Sequence, residues 1–286
     1  MTALRFQNEH AELFIPDGGS ADQALERTTH LAIGAHQDDL EIMAVAGILA
    51  CFQQDDQWFS GIVVTDGAGS PRSGPYADTS DEAMQLIRSK EQKKAAVVGE
   101  YAALALLGYP SRVVKDPSDR RPVQDLAALL AAASPAIVYT HNLADKHPTH
   151  VAVALRTIAA IRSLPASARP RQLFGCEVWR SLDWMLNEDR TVFDCSAREG
   201  LQMALLGAFD SQIAGGKRYD LATMARRRAQ ATYDESHGLD VMTGVAYAME
   251  LTPLIEDPSL DVVAFVARFL ERFSEDVHRT LVQSLQ

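Results

Sequence analysis

His30-Leu-Ala-Ile-Gly-Ala-His-Gln-Asp-Asp-Leu-Glu41 is the segment on which the fold turns. Its opening, His30 to Ala35, is a short and nearly continuous apolar run, the pattern of a strand buried on both faces. From Asp39 to Phe52 the apolar positions Ile42, Val45, Ala46, Leu49 and Cys51-Phe52 follow a helical spacing. A second run, Phe59-Ser-Gly-Ile-Val-Val-Thr65, completes a strand–helix–strand unit.

The alternation continues downstream. Helices are expected over 81–101, opened by Ser80 or Asp81 as N-cap, over 122–133 with Pro122 in the first turn, and over 148–162. Strands are expected over 103–108, 136–140 and 172–179. This order predicts an α/β fold with a mostly parallel, Rossmann-like sheet flanked by helices. The last part of the chain reads differently, with helices over 196–209, 217–233 and 261–285. In the last of these, a stripe from Val262 to Leu281 serves as core packing, or alternatively as a homo-oligomer face. Residues 1–286 are therefore expected to form one α/β domain. Its motif-bearing core covers about 30–215 and a helical C-terminal extension covers about 216–286.

Composition narrows the function classes. The chain has 286 residues, 27 Lys and Arg against 38 Asp and Glu, and a formal net charge of −11. So acidic a surface repels phosphate backbones, and Arg226-Arg227-Arg228 reads as a solvated helix face, so no nucleic-acid partner is expected. No apolar run is long enough for a membrane span. Met1 to Asn8 lacks the order of a signal peptide, and the three dispersed cysteines suit a reducing compartment. A cytoplasmic protein is the expectation.

Two clusters carry the chemistry. His36-Gln-Asp-Asp-Leu-Glu41 lies at the carboxyl end of the first strand, where open α/β sheets bind ligands. Thr140-His-Asn-Leu-Ala-Asp-Lys-His-Pro-Thr-His150 follows a later strand and holds three of the chain's eight histidines. With Pro148 at the first helical position, His147 and His150 can face one cleft. Two histidines and one aspartate make a three-ligand site with an open position, the arrangement of catalytic zinc, although such a set also accepts another divalent metal. No Gly-x-Gly-x-x-Gly follows the first strand, which removes a dinucleotide site. The loop Gly67 to Thr79 sits after a strand end, and its Arg72 and Tyr76 are candidates for a substrate lid.

His36-Gln-Asp-Asp-Leu-Glu41 and His147-Pro-Thr-His150 resemble the two signature motifs of the PIG-L/LmbE-type metal-dependent de-N-acetylases. The resemblance extends to Thr65-Asp-Gly67, Arg88-x-x-Glu91, Glu177-Val-Trp179 and Asp210-Ser-Gln212. It implies His36, Asp39 and His150 as zinc ligands and Asp38 as general base. It implies His147 as the histidine that steadies the oxyanion, and Arg88 as a substrate contact. Gln37 stands where the motif has proline, and Thr149 where it has aspartate; Asp145 is the candidate to reach His147 in that aspartate's place. Asp66 and Glu41 are candidates to orient the ligand imidazoles.

The expected activity is zinc-dependent removal of an acetyl or similar acyl group from an N-acylated amino sugar or glycoconjugate. The alternative keeps the metal and changes the amide, for example to a thiol conjugate or a cyclic amide. A two-metal phosphoesterase needs further bridging carboxylates. A sugar-binding module without activity has no use for Asp38 beside a metal.

Overall fold

The computed structural model describes residues 4–286. The described strands are β1 (Glu12–Phe14), β2 (His30–Gly34), β3 (Phe59–Thr65), β4 (Ala103–Tyr109), β5 (Ile137–His141), β6 (Gln172–Cys176), β7 (Arg190–Asp194) and β8 (Val245–Glu250). They form one eight-stranded sheet in the order β1-β4-β3-β2-β5-β6-β8-β7. The five strands from β4 to β6 run parallel, as the strand–helix alternation predicts. Antiparallel pairings close both edges, β1 on β4 and β8 between β6 and β7.

Strand alternation divides the core between two faces. Leu31, Ile33, Ile62 and Val64 face the helices Arg121–Ala133 and Pro148–Ser163, whereas Ala32, Phe59 and Val63 pack with Leu40, Ile48 and Tyr101. Helices cover both sides, so the central strands are apolar throughout. Gly61 is needed for the close approach of Leu40, because a Cβ there would lie 2.6 Å from Leu40 Cδ1.

β2 is paired on one side with β3 and on the other with β5. The chain thus proceeds in one direction from β2 through β3 to β4, and in the other from β5 to β6. The strand order reverses between β2 and β5, and a crevice opens beyond the carboxyl ends of strands at such a point. Both histidine-bearing segments leave the sheet there.

Three differences from the sequence reading stand out. The helix expected over 39–52 is two helices, Asp39–Met43 and Val45–Cys51, broken at Ala44 (φ −109°, ψ 22°). The strand expected over 172–179 stops at Cys176, because Glu177 turns inward to accept hydrogen bonds from Gln230 Nε2 at 2.9 Å and Tyr247 N–H at 3.0 Å. The C-terminal region is helical but also supplies β8, whose Val-Ala-Tyr-Ala-Met-Glu sequence has little β-branched character. The final helix, Val262–Leu285, buries Phe265 and Phe269 and then projects with Leu270 52% and Leu281 59% exposed, so core packing accounts only for its first turns. No helix among the described residues is long and apolar enough to cross a membrane.

Leu40 ties the segment bearing the first cluster to the sheet. Leu40→Ala is expected to destabilise the fold by about 2–5 kcal/mol, read as a lower urea midpoint at unchanged slope.

Candidate functional site

The turn after β2 is fixed by backbone bonds before any site residue is placed. Ala35 C=O accepts from Thr65 N–H at 2.9 Å and from the Thr65 hydroxyl at 2.7 Å, locking the end of β2 to β3. Asp38 then adopts φ 92°, a left-handed conformation uncommon outside glycine and better tolerated by aspartate and asparagine than by most residues. Its N–H donates to Gln92 Oε1 at 3.1 Å, and Arg88 Nη2 donates to the Gln37 carbonyl. The reversal at Asp38 sends two consecutive carboxylates to different places.

Asp39 turns inward and is 2% exposed. Its Oδ2 accepts the His36 N–H at 2.6 Å and lies 3.2 Å from His36 Nδ1 and 3.4 Å from His150 Nε2. His36 Nδ1 and His150 Nε2 are 3.1 Å apart. Three donor atoms therefore form a triangle with sides of 3.1–3.4 Å. Ligands at about 2.0–2.1 Å from a tetrahedral divalent metal are separated by roughly 3.3–3.4 Å. The donor set and its spacing fit such a metal.

Two further histidines border the triangle, and hydrogen bonding sorts them. His141 Nε2 accepts the Ala35 N–H at 2.8 Å, so the ring proton of the neutral imidazole resides on Nδ1. With its one free lone pair used, His141 stacks on His150 with ring centroids 3.9 Å apart and acts as a wall. His147 Nδ1 accepts the Thr149 N–H at 3.2 Å and caps the helix Pro148–Ser163. That leaves Nε2–H as a donor.

The electrostatics follow from burial. Burial would raise the Asp39 carboxyl, but the facing His150 and His141 overcome it and hold the group well below the ordinary range. Burial pushes Asp38 up to about 7 against the opposing charge of Arg88, whose Nη2 lies 3.3 Å from Asp38 Oδ2. Burial lowers His150 to about 4, which leaves it neutral and able to bind metal near neutral pH. His147 is also lowered, by burial and then by His36, so it is the neutral donor rather than a resident cation.

Asp145 does not take the place of the motif aspartate at the His147 ring. Its Oδ1 accepts the His147 backbone N–H at 2.9 Å and lies 3.6 Å from His150 Nδ1, aligned behind the ring whose Nε2 faces the triangle. Asp66 bonds the Ala68 N–H at 3.1 Å and serves its own turn. Glu41 accepts from Tyr101 Oη and Gln92 Nε2, both at 2.7 Å, so neither carboxylate orients a ligand imidazole.

A cavity of about 480 Å³ opens over these groups, with His36, Asp38, Asp39, Arg88 and His147 in its floor. Arg88 is 1% exposed, and Glu91 Oε2 lies 3.5 Å from its Nη1. Glu91 in turn accepts from Ser211 N–H and Ser211 Oγ, both at 2.6 Å. The Arg88-x-x-Glu91 and Asp210-Ser-Gln212 elements thus form one clamp behind Asp38. Arg72 and Tyr76 are not brought to the cavity: Arg72 pairs with Asp81 at 2.6 Å, and Tyr76 Oη donates to Asp210 at 2.6 Å. The loop presents Gly67, Gly69, Ser70 and Pro71 instead. Gly67 requires its identity, with φ 76° and space for a Cβ only 2.6 Å from Gln37 Oε1. His237 is exposed and stands outside the cavity.

Sequence reasoning singled out neither His141 nor the upper wall, Lys115, Lys217 and Tyr219. His141 ends β5 much as His36 follows β2, and that placement was the available signal. The wall residues come from separate segments and carry no local pattern.

Residues 31–161 match the family model described as PIG-L: GlcNAc-PI de-N-acetylase. They are a PIG-L family domain. Among curated proteins no sequence match is found. Among solved structures, the chain is similar to the conserved protein TT1542 from Thermus thermophilus (21% identity, 82% of this chain and 99% of that one, TM-score 0.58). It is similar to N,N'-diacetylchitobiose deacetylase from Pyrococcus horikoshii (16% identity, 77% and 83%, TM-score 0.58). A third structure is GalB, the 4-carboxy-2-hydroxymuconate hydratase from Pseudomonas putida (13% identity, 78% and 95%, TM-score 0.57). At these identities the structures establish a shared fold. The PIG-L domain holds both histidine-bearing segments, and β6 to β8 extend its sheet.

Two outcomes are expected. Asp39→Asn and His150→Gln, titrated with zinc, each lose at least about 10-fold in affinity, whereas His141→Gln stays closer to the parent protein. Burial raises Glu41 from 4.5 to about 8, so the folded state retains a proton that the unfolded state releases. Stability therefore falls as pH rises from 4.5 toward 8, and Glu41→Gln flattens that slope in urea unfolding across the window.

Proposed function

We propose that the protein is a zinc-dependent de-N-acylase that removes an acetyl or similar acyl group from the nitrogen of an amino sugar or glycoconjugate. The observation that carries this reading is the triangle formed by His36 Nδ1, Asp39 Oδ2 and His150 Nε2, with Asp38 and His147 beside it on the same cavity floor. The family described as GlcNAc-PI de-N-acetylase and the chitobiose deacetylase fold support the same chemistry.

His36, Asp39 and His150 would hold the metal. Bound there, it supplies Lewis acidity, which eases deprotonation of water and polarises an amide carbonyl. Asp38 accepts the proton of the attacking water, and burial, which raises its carboxyl against the opposing charge of Arg88, makes it a better proton acceptor than an exposed aspartate. Arg88 holds Asp38 from behind, and Glu91 holds Arg88. His147 donates Nε2–H toward the oxygen on which charge develops. The proton collected by Asp38 is then delivered to the departing amine, so that carboxylic acid and amine leave as separate products.

The test is acetate release from N-acetylglucosamine glycosides by zinc-loaded protein. Asp38→Asn keeps a residue type that tolerates the left-handed backbone. It is expected to reduce kcat by about 10²–10⁴-fold with zinc content unchanged. His147→Gln is expected to reduce kcat by about 10²–10³-fold. Full turnover in Asp38→Asn would overturn the assignment of the base.

A further inference from the structure

Two surfaces without a partner lie at opposite edges of the sheet. One is a groove of about 640 Å³ beside β1, between the helices Asp81–Val98 and Glu199–Gly207. Phe14, Val97, Val98 and Ala204 give it an apolar floor, and Gly207 leaves open space where a Cβ would stand. Small side chains at a helix surface let a second helix approach closely. Lys90, Lys93 and Lys94 border the groove. Among the described residues Lys93 pairs with Glu12, whereas Lys90 and Lys94 are exposed and have no acidic partner.

The other surface is the outer part of the final helix, Val262–Leu285. Phe265 and Phe269 anchor this helix in the core, and Arg272 reaches Glu188 at 2.9 Å and also Asp189, just before β7. From Leu270 onward every residue except Asp276 is exposed. Leu270, Val277 and Leu281 nevertheless recur at helical spacing as an apolar stripe. A helix of this kind draws most of its stability from the packing of such a face. Glu271 and Glu275 stand four residues apart to one side of the stripe. Their neighbours Arg272 and Asp276 are engaged by Glu188 and Arg279, but among the described residues neither glutamate has a cationic partner.

Reach and sign decide what covers the stripe. At 1.5 Å per residue the helix extends about 20 Å beyond Arg272. Strands spaced about 4.8 Å apart place β1 roughly 34 Å from β7. Groove and helix also pack on opposite faces of the sheet, so the helix does not reach the groove of its own chain. The charges match between copies. Residues four apart on a helix are about 6 Å apart, so Lys90 and Lys94 can meet Glu271 and Glu275 in a single register. In a chain of net charge −11, a lysine-bordered apolar groove attracts an acidic copy of the same chain. Pairing two of the stripes with each other would leave the groove open and the glutamates without a cation.

We propose that the groove of one copy receives the outer part of Val262–Leu285 from a second copy. Lys90 and Lys94 meet Glu271 and Glu275, and Leu270, Val277 and Leu281 pack on Val97, Val98 and Ala204. Because the two surfaces lie at opposite edges, copies join head to tail, helix into groove.

The experiment is analytical ultracentrifugation of the full chain over a concentration series, with folding of every variant checked by circular dichroism. The parent protein is expected to assemble as concentration rises. Lys90→Glu/Lys94→Glu and Glu271→Lys/Glu275→Lys are each expected to weaken assembly by at least about 10-fold, because like charges then face each other. An equimolar mixture of these two variants is expected to restore it, since each offers the other a helix and a groove of opposite sign. Leu270→Gln/Leu281→Gln, which keeps every charge, is expected to weaken assembly as well. A parent protein that sediments as a single copy at every concentration overturns the proposal. Undiminished assembly of Lys90→Glu/Lys94→Glu, the result that direct pairing of the two helices gives, also overturns it. So does a mixture of the charge variants that stays as single copies.

Discussion

A buried carboxylate surrounded by imidazoles is the constraint around which this molecule is arranged. Asp39 accepts the N–H of His36 three residues earlier and faces His36, His141 and His150 with the same oxygen. Removing a charge from water is costly unless it is paired or coordinates a metal. The surrounding fold supplies that compensation. β2 and β5 are neighbours, so the two segments that carry the histidines start side by side, and the left-handed backbone at Asp38 turns Asp39 toward them. Without the reversed strand order the second segment would begin too far away.

The same geometry explains why two adjacent carboxylates differ. Asp39 is held ionised by the imidazoles around it, whereas burial dominates at Asp38 and raises it despite Arg88. The clamp behind Asp38 reaches from the helix Asp81–Val98 to Ser211, so this carboxylate is positioned by residues far apart in the chain. Differentiating like groups by environment is how one fold provides distinct acid–base functions.

Much of the central sheet was legible in the sequence because β2, β3 and β5 are apolar runs with turn residues at both ends. His36 and His150 stood out because each follows a strand within a dense polar cluster. The edges were not legible. β8 depends on burial between β6 and β7 rather than on its own alanine-rich composition, and β7 is a half-exposed edge. Arg72 and Tyr76 have the right chemistry for a substrate lid but are engaged by Asp81 and Asp210. Their partner choice is a tertiary fact with no local signature. The same holds for His141, whose ring nitrogen is claimed by the Ala35 amide. The family model ends at residue 161, and the aromatic wall with Lys217 lies beyond it. Deacetylase and hydratase relatives on this fold show that the scaffold alone does not fix the reaction.

The most direct measurement is anomalous diffraction at the zinc absorption edge from crystals of zinc-loaded protein. The expected result is one peak bonded to His36 Nδ1, Asp39 Oδ2 and His150 Nε2 at about 2.0–2.2 Å, with His141 and His147 outside the coordination sphere. A peak bonded to His141 or His147 in place of one of these ligands, or no peak in the triangle, would contradict it.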